Sequence, residues 1–204
     1  MDAALIQQCA DPSLKPAIVE QFIEAAGSPD PLMVTVRMGN RVILVPKART
    51  PDEALAIVRD NVGRAVVRVG LTQFPAGVGL KDASEVKDDL VDPCENLRKG
   101  TTMFAKILRI VAKWYGNAKS DEVFPQIFED AVYAWKTGEF EGQSVFQAAD
   151  PGGQLPDQTR VPENTQENND LSDAEPSSAE GQPVTKPEAD EAGIRIDLSR
   201  INGK

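Results

Sequence analysis

The sequence contains no histidine. Without an imidazole, the chain cannot form a Ser-His-Asp or Cys-His catalytic group, the common zinc sites, or a charge switch near neutral pH. The stretch around Gly77 and Gly79 lacks the third glycine of a dinucleotide site, and no Lys-Ser or Lys-Thr pair follows it as in a P-loop. It is interpreted as a turn, and neither a cofactor nor a metal site is expected.

Cysteine is scarce as well. Cys9 and Cys94 are too few for a disulfide framework, have no metal-ligand spacing, and lie in partly apolar stretches with helical periodicity. They are expected to be buried free thiols in a reducing compartment. The first residues include an acid, Asp2, and no basic segment like that of a signal peptide. No run approaches the roughly 18 apolar residues of a membrane span, so a cytoplasmic protein is expected.

The last quarter of the chain lacks aromatic residues altogether. Residues 150–204 hold five Lys and Arg against twelve Asp and Glu, which gives this segment a net charge of −7 out of −10 for the whole chain. Six prolines occur from Pro151 to Pro187, and few large aliphatic side chains are available to offset the entropy of folding. Residues 150–191 are therefore predicted to be a disordered acidic linker.

The first half of the chain alternates helix and strand signals. Apolar periodicity that ends at Gly27 predicts a helix. β-branched runs on either side of Gly39-Asn40 predict a hairpin, because these residue types tolerate the positive φ of a two-residue turn. Thr50 is predicted to cap a second helix. The run AVVRVGL predicts a third strand beside the hairpin, and TQFPAGVG, which follows it, a loop.

The second half is helical in pattern. Asp92 and Glu95 form a capping arrangement in front of a long amphipathic helix, and a further helix ends near Gly138. Four aromatic residues on or beside the apolar faces of these helices are expected in the core: Trp114, Tyr115, Tyr133 and Trp135. We predict an α+β fold for residues 1–149, with a small antiparallel β-sheet made of the hairpin plus a third strand, packed with about four α-helices. The disordered acidic tail and a short terminal motif follow.

Five cations share the polar side of the long helix, within roughly 100° of a helical wheel: Arg98, Lys99, Lys106, Arg109 and Lys113. Aligned cations can hold a phosphate backbone or an acidic partner. More often they form the solvated side of an amphipathic helix or the docking place for the chain's own acidic tail. We rank nucleic acid second, because the sequence contains no recognised nucleic-acid motif and its pI is about 4.6.

Acidic residues cluster at the start of the same helix, at Asp88, Asp89, Asp92 and Glu95. Their spacing matches no calcium loop, and the helix dipole favours acids at a helix start. A hydrolase that uses Asp88, Asp89 or Asp92 is the enzymatic alternative, but only the presence of these carboxylates supports it. No catalytic residue is assigned, and the chain is not expected to be an enzyme.

The terminal segment 192–204 differs from the linker before it. Its apolar residues alternate with polar ones, which is the period of a strand with one apolar face: Ile194, Arg195, Ile196, Asp197, Leu198 and, further on, Ile201. Such a strand would add to the exposed edge of this protein's own sheet or to that of a partner. A helix in a groove is the alternative, because Ile194, Leu198 and Ile201 are also spaced i, i+4, i+7. In each case the segment is interpreted as a docking motif.

Several long runs resemble the TraH family, which is encoded among the conjugal transfer genes of plasmids from Agrobacterium-like and rhizobial bacteria. The runs are LKPAIVEQFIEAAGS, VVRVGLTQFPAGVG, CENLRKGTTMFAKILRIVAKWYGN, VFPQIFEDAVYAWKTGEFEG and GIRIDLSRI. The resemblance covers nearly the whole predicted domain and the terminal motif. It implies an association with plasmid conjugation, in a system that has a relaxase and a mating channel, and it supplies no catalytic residues.

These observations lead to one functional hypothesis. The chain is expected to be an accessory protein of conjugative plasmid DNA transfer that acts through protein–protein binding. Its folded domain would dock one component, and the acidic linker would carry the terminal motif to a second site. The expected partners are other conjugal transfer proteins, such as the relaxase or components of the mating channel. The alternative is a factor that contacts nucleic acid through the cationic helix face.

Overall fold

The computed structural model describes residues 2–117, 122–155 and 158, which lie in one compact unit, Met1–Asn164. Most of the predicted linker and the whole terminal motif lie outside the described residues. The α-helices, in chain order, are α1 Ala3–Cys9, α2 Pro16–Ala26, α3 Pro51–Asn61, α4 Pro93–Trp114 and α5 Phe124–Thr137. The strands are β1 Val34–Met38, β2 Arg41–Ile43, β3 Val66–Val69, β4 Phe74–Pro75, β5 Glu139–Phe140 and β6 Gln143–Ser144.

Helix boundaries follow local capping chemistry. Thr50 accepts a hydrogen bond from the backbone N–H of Glu53 at 3.3 Å, and Asp92 accepts one from that of Glu95 at 2.8 Å. Both predicted N-caps are therefore confirmed. Helix α5 ends at Gly138, whose φ of 86° is the left-handed conformation that commonly closes a helix.

The main sheet contains four antiparallel strands in the order β2-β1-β3-β4. The predicted hairpin is confirmed. Gly39, at the first position of the two-residue turn, has a φ of 57°, whereas Asn40 at the second position is not among the residues with a positive φ. This combination is that of a type II′ turn, in which only the first residue requires a positive φ. Arg37 of β1 pairs with Val42 of β2 on one side and with Val66 of β3 on the other. Strand β2 therefore forms one edge of the sheet.

The structure also contains short strands that no sequence pattern predicted. Phe74–Pro75, in the stretch interpreted as a loop, forms β4 by pairing with Arg68 and Val69. Strands β5 and β6 form a two-stranded hairpin after α5. Each of these strands is two residues long and carries no alternating pattern that could be detected. The predicted α+β class, a small antiparallel sheet surrounded by helices, is confirmed.

One hydrophobic core joins the sheet to the helices. Phe22 of α2 stacks on Phe104 of α4, with 4.0 Å between ring centroids, and Trp135 of α5 meets both rings edge-on. The expectation that four helix aromatics would be in the core is wrong for Trp114 and Tyr133, which are both 64% exposed. Trp114 lies beside the buried face of α4, and Tyr133 lies on the side of α5 that is opposite its buried residues.

A disulfide joins Cys9, at the end of α1, to Cys94, in the first turn of α4. The expectation of two free thiols is therefore wrong. The two Cα atoms are 5.2 Å apart, within the range that a disulfide requires, although 85 residues separate them along the chain. Sequence spacing could not show this proximity, because it arises from the packing of α1 against α4.

Candidate functional site

The predicted cationic face of α4 consists of Arg98, Lys99, Lys106, Arg109 and Lys113. Most of these side chains form ion pairs or hydrogen bonds with other groups of the same chain. Arg98 pairs with Glu95, and Lys99 pairs with Asp89. Arg109 binds Asp150 at two points, with Nε donating to Oδ1 at 2.8 Å and Nη2 donating to Oδ2 at 2.5 Å. Three of the five cations thus have a carboxylate of this chain as their neighbour.

Lys106 and Arg109 hold the chain that follows β6 against α4. The Lys106 ammonium donates to the carbonyl oxygens of Phe146 at 3.0 Å and Ala148 at 3.1 Å, next to the contact between Arg109 and Asp150. Hydrogen bonding to Arg109 lowers the pKa of Asp150, although partial burial opposes this shift, and the same bond raises the pKa of Arg109. Burial lowers the pKa of Lys106. Of the carboxylates paired with this face, only Asp150 belongs to the predicted acidic linker, and docking of the acidic tail on this face stays a prediction.

Part of the α4 face remains open. Lys113 is exposed and lines a cavity of about 600 Å³ together with Trp114 and Phe140. Arg98 and Lys99 line a second cavity of about 350 Å³. Contact between this face and nucleic acid stays a prediction.

The acidic residues before α4 each have a structural neighbour. Asp88 lies 3.5 Å from Arg59, Asp89 contacts Lys99, and Asp92 caps α4. In the part of the chain that the structure describes, no three His, Cys, Asp or Glu side chains are grouped so that they could hold a metal ion. The cluster therefore takes part in helix capping and surface ion pairs.

The outer edge of the sheet, residues 41–44, is named the β2 edge. Val42, Ile43 and Leu44 are 62%, 38% and 96% exposed, and β2 is the terminal strand in the sheet order. An exposed strand edge presents unpaired N–H and C=O groups to which another strand can pair. The β2 edge therefore combines available backbone groups with apolar side chains.

Positive charge surrounds the β2 edge. Residues 31–51 contain no Asp or Glu, in a chain of net charge −10, and they contain four exposed cations: Arg37, Arg41, Lys47 and Arg49. Of these four cations, only Lys47 forms an ion pair with a described residue, Asp30, at a distance of 3.2 Å. This region was not predicted from the sequence, because its cations lie on two strands and in a loop and do not share a helix face. The absence of acids over residues 31–51 was the signal that could have identified it.

A cleft of about 840 Å³ extends this positive region along the sheet. Arg68 lines it but is only 9% exposed, and it donates to the carbonyl oxygens of Trp135 at 2.5 Å and Lys136 at 3.0 Å. These carbonyls end α5, where the helix dipole favours a cation. Burial and the neighbouring Arg37 lower the pKa of Arg68 to about 10, so it remains charged at neutral pH. Arg37, Arg64 and Lys136 are exposed around the same cleft.

The predicted docking motif, with Ile194, Arg195, Ile196, Asp197, Leu198 and Ile201, lies outside the described residues, and its role stays a prediction. The described chain remains in contact with the domain beyond Ala149. Gln158 is 7% exposed, accepts a hydrogen bond from the backbone N–H of Lys15 at 2.8 Å, and donates one to the carbonyl of Ser13 at 3.0 Å. Gln158, which lies within the predicted linker, is thus hydrogen-bonded to the residues just before α2.

Comparison with known proteins gives two matches over the full length. The model of the TraH_2 family matches residues 1–203. The chain is also similar to a protein of Sinorhizobium fredii (strain NBRC 101917 / NGR234) named Uncharacterized protein y4dP, with 64% identity over 203 residues that cover 100% of this chain and 99% of that protein. No solved structure matches the chain. Among the described residues, no helix is long and apolar enough to cross a membrane.

Proposed function

Because the chain belongs to the TraH_2 family of conjugal transfer proteins, we propose that it is a non-enzymatic accessory protein of conjugative plasmid DNA transfer that acts by binding other transfer proteins. The family match supports a role in conjugative transfer. The exposed β2 edge supports the mode of action, because Val42 and Leu44 are apolar and largely exposed beside backbone groups that can pair with a strand.

In this proposal the terminal motif is a second, tethered docking element. Gln158 fixes the chain to the domain, and residues 159–193 separate this point from Ile194. If they form the coil that their composition predicts, they span about 30 to 35 Å. A motif on such a tether searches for its partner at an effective concentration of about 1 mM, which strengthens binding through a second weak contact. The partners are relaxase or mating-channel components.

The second candidate function is contact with nucleic acid through the α4 face. Lys113 favours it, because this cation is exposed beside the exposed ring of Trp114, and a cation next to an aromatic ring suits a single-stranded nucleic acid. Binding of an oligonucleotide should then weaken steeply as salt is raised, and Lys113→Glu should weaken it further. Affinity that is insensitive to both changes excludes this function.

A mating assay tests the proposed role of the terminal motif. Donor cells carry full-length protein in which Ile194, Ile196 and Leu198 are all replaced by Ser. Loss of three buried aliphatic side chains costs about 1.5 to 3 kcal/mol each, so the affinity for the partner should fall more than a hundredfold and the transfer frequency should fall to that of a chain ending at Glu191.

The matched control, Ser199→Ala, changes the opposite face of the strand at a position outside the six motif residues, and it should keep most of the transfer. Ile196→Ser alone separates the two conformations, because Ile196 lies on the apolar face of a strand but not on that of the alternative helix. Equal protein levels are verified by immunoblot. Wild-type transfer by the triple variant contradicts the proposed docking role.

A further inference from the structure

The backbone of β2 is oriented to accept another strand. Met38 and Arg41 flank the two-residue turn, so their backbone groups are hydrogen-bonded to each other. In an antiparallel pair, hydrogen-bonded and non-hydrogen-bonded positions alternate. The N–H and C=O of Val42, the next residue, therefore point away from β1 and toward the outer side of the sheet, where no described strand lies.

The side chains of the edge require apolar residues in whatever binds there. Val42 is opposite Arg37 and lies on one face of the sheet, whereas Ile43 is opposite Val36 and lies on the other face. Leu44, which follows, is almost fully exposed. An added strand with apolar residues on at least one face would remove part of this surface from water.

Charge decides which kind of strand fits. Residues 31–51 carry four cations and no acid, and Arg37 and Arg41 are exposed next to Val42. A second copy of this chain that paired through the same edge would bring two sets of these cations together, which is unfavourable. A strand that carries Asp or Glu would instead meet opposite charges.

We propose that the β2 edge binds an extended acidic segment of a partner protein by strand addition, in which apolar residues alternate with Asp or Glu. Backbone hydrogen bonds at Val42 supply affinity. The apolar side chains of the edge and the cations Arg37 and Arg41 select the sequence. This inference rests on the proposed function, since it names a surface and a partner class for the binding, but it uses residues separate from the terminal motif.

Peptide binding to the purified full-length protein tests the proposal. The probe is a fluorescein-labelled peptide of alternating glutamate and isoleucine or valine, and the matched peptide has lysine in place of glutamate. Anisotropy should give at least tenfold tighter binding of the glutamate peptide at low salt. Added salt should narrow the difference because it screens the exposed charges. In NMR spectra, the amide signals of Val42 and Leu44 should shift.

Variants of the edge provide the second part of the test. Val42→Pro removes an N–H that points outward and no hydrogen bond to β1, so it should weaken peptide binding about tenfold or more while the unfolding midpoint changes little. Val42→Thr keeps the N–H and the strand propensity but loses apolar surface, so it should weaken peptide binding less than Val42→Pro does. If the proline variant does not fold, Arg41→Glu replaces it. That change should weaken binding of the glutamate peptide and strengthen binding of the lysine peptide.

Three results overturn the inference. The two peptides bind equally, or the shifts fall on α4 instead of β2. In the third, the full-length protein binds neither peptide and a chain ending at Glu191 binds the glutamate peptide, which assigns the edge to the chain's own terminal residues. Failure of this inference leaves the mating result of the terminal-motif variants intact, and failure of the proposed docking role leaves the peptide binding intact.

Discussion

At the scale of single residues, Asn96 holds the loop after β3 against α4. It is 1% exposed, and its side-chain nitrogen donates to the carbonyl oxygens of Val69 at 3.0 Å and Leu90 at 2.8 Å. Its side-chain oxygen accepts from the backbone N–H of Thr72 at 3.0 Å. Gly70 leaves room for this amide, because a Cβ there would lie 2.3 Å from Asn96 Nδ2. A buried polar group with all partners in place is costly to disturb.

Replacing Asn96 by Ala should lower the free energy of unfolding by about 3 kcal/mol, because buried N–H and C=O groups are left without partners. Urea titration followed by circular dichroism measures the change. The matched control is Asn61→Ala, which removes a single hydrogen bond, 2.8 Å long, to the carbonyl of Ile57 at a half-buried position. It should cost less than about 1 kcal/mol. If the two variants lose the same free energy of unfolding, the buried hydrogen bonds of Asn96 are not more important than the single bond of Asn61.

The contact between Arg109 and Asp150 should make stability depend on pH. Hydrogen bonding to Arg109 lowers the pKa of Asp150 in the folded state, so this contact stabilises the fold at pH values above the unfolded pKa of about 3.9. The contribution is lost as the pH falls through the lower, folded pKa. Because Asp150 is partly exposed, the contribution at pH 7 should be only about 0.5 to 1 kcal/mol.

The variant Asp150→Asn checks this dependence. Its free energy of unfolding should lie below that of the unchanged protein at pH 7, and the difference should shrink when both are compared at pH 3. Glu139→Gln, at an exposed position without an assigned ion pair among the described residues, should show little difference at either pH. If the difference in the free energy of unfolding between Asp150→Asn and the unchanged protein is the same at pH 7 and pH 3, the ion pair between Arg109 and Asp150 does not contribute to stability.

At the scale of elements, the β1–β2 hairpin depends on Gly39. Its φ is 57°, and a Cβ added there would meet no atom within 4 Å, so the cost of a side chain is conformational only. Gly39→Ala should lower the free energy of unfolding by about 1 to 2 kcal/mol, measured by chemical denaturation. Asn40→Ala, one residue later, should change it by less than about 0.5 kcal/mol. If both variants are neutral, the turn does not limit the stability of the hairpin.

The helices and the β1–β2 hairpin could be predicted because their signals are local. Thr50 and Asp92 cap helices with partners three residues away, and Gly138 ends α5 with its own φ. Strand β4 could not be predicted, since two residues give no period and the pairing of Phe74 with Val69 depends on the loop between them. The exposure of Trp114 likewise follows from which helices pack beside it.

The candidate sites were predictable to different degrees. Helical periodicity identified the cationic face of α4, but it could not reveal that Arg109 binds Asp150, 41 residues further on. The β2 edge was missed because the exposure of Val42 and Leu44 depends on the order of the strands, which no local sequence pattern reveals. The lack of Asp and Glu around this edge is visible in the sequence. Only the strand order shows that these residues lie at an open edge of the sheet.

At the scale of the whole molecule, the Cys9–Cys94 disulfide is the main covalent constraint. It closes a loop whose ends are 85 residues apart, and in the chain-entropy model such a loop stabilises a fold by about 4.5 kcal/mol. Reduction should therefore lower the free energy of unfolding by several kcal/mol, which urea titration with and without dithiothreitol measures. The double variant Cys9→Ser and Cys94→Ser should resemble the reduced protein and should not respond to the reductant. Unchanged stability on reduction contradicts the bond.

The same disulfide bears on where the protein works. Disulfides persist in oxidising compartments and are uncommon in the cytoplasm, whereas the composition favoured the cytoplasm. The cytoplasmic location stays a prediction. It requires that Cys9 and Cys94 react with an alkylating reagent when donor cells are lysed directly into denaturant that contains the reagent. A chain that resists the reagent until it is reduced has instead folded in an oxidising compartment.

The covalent loop also has a consequence for damage to the chain. It contains all four strands of the main sheet, including the β2 edge, as well as α2 and α3. A protease that cuts one peptide bond anywhere inside the loop leaves two fragments that are still linked through the sulfur atoms. Such a nicked molecule migrates as a single band on a non-reducing gel and separates into two pieces only when thiol is added.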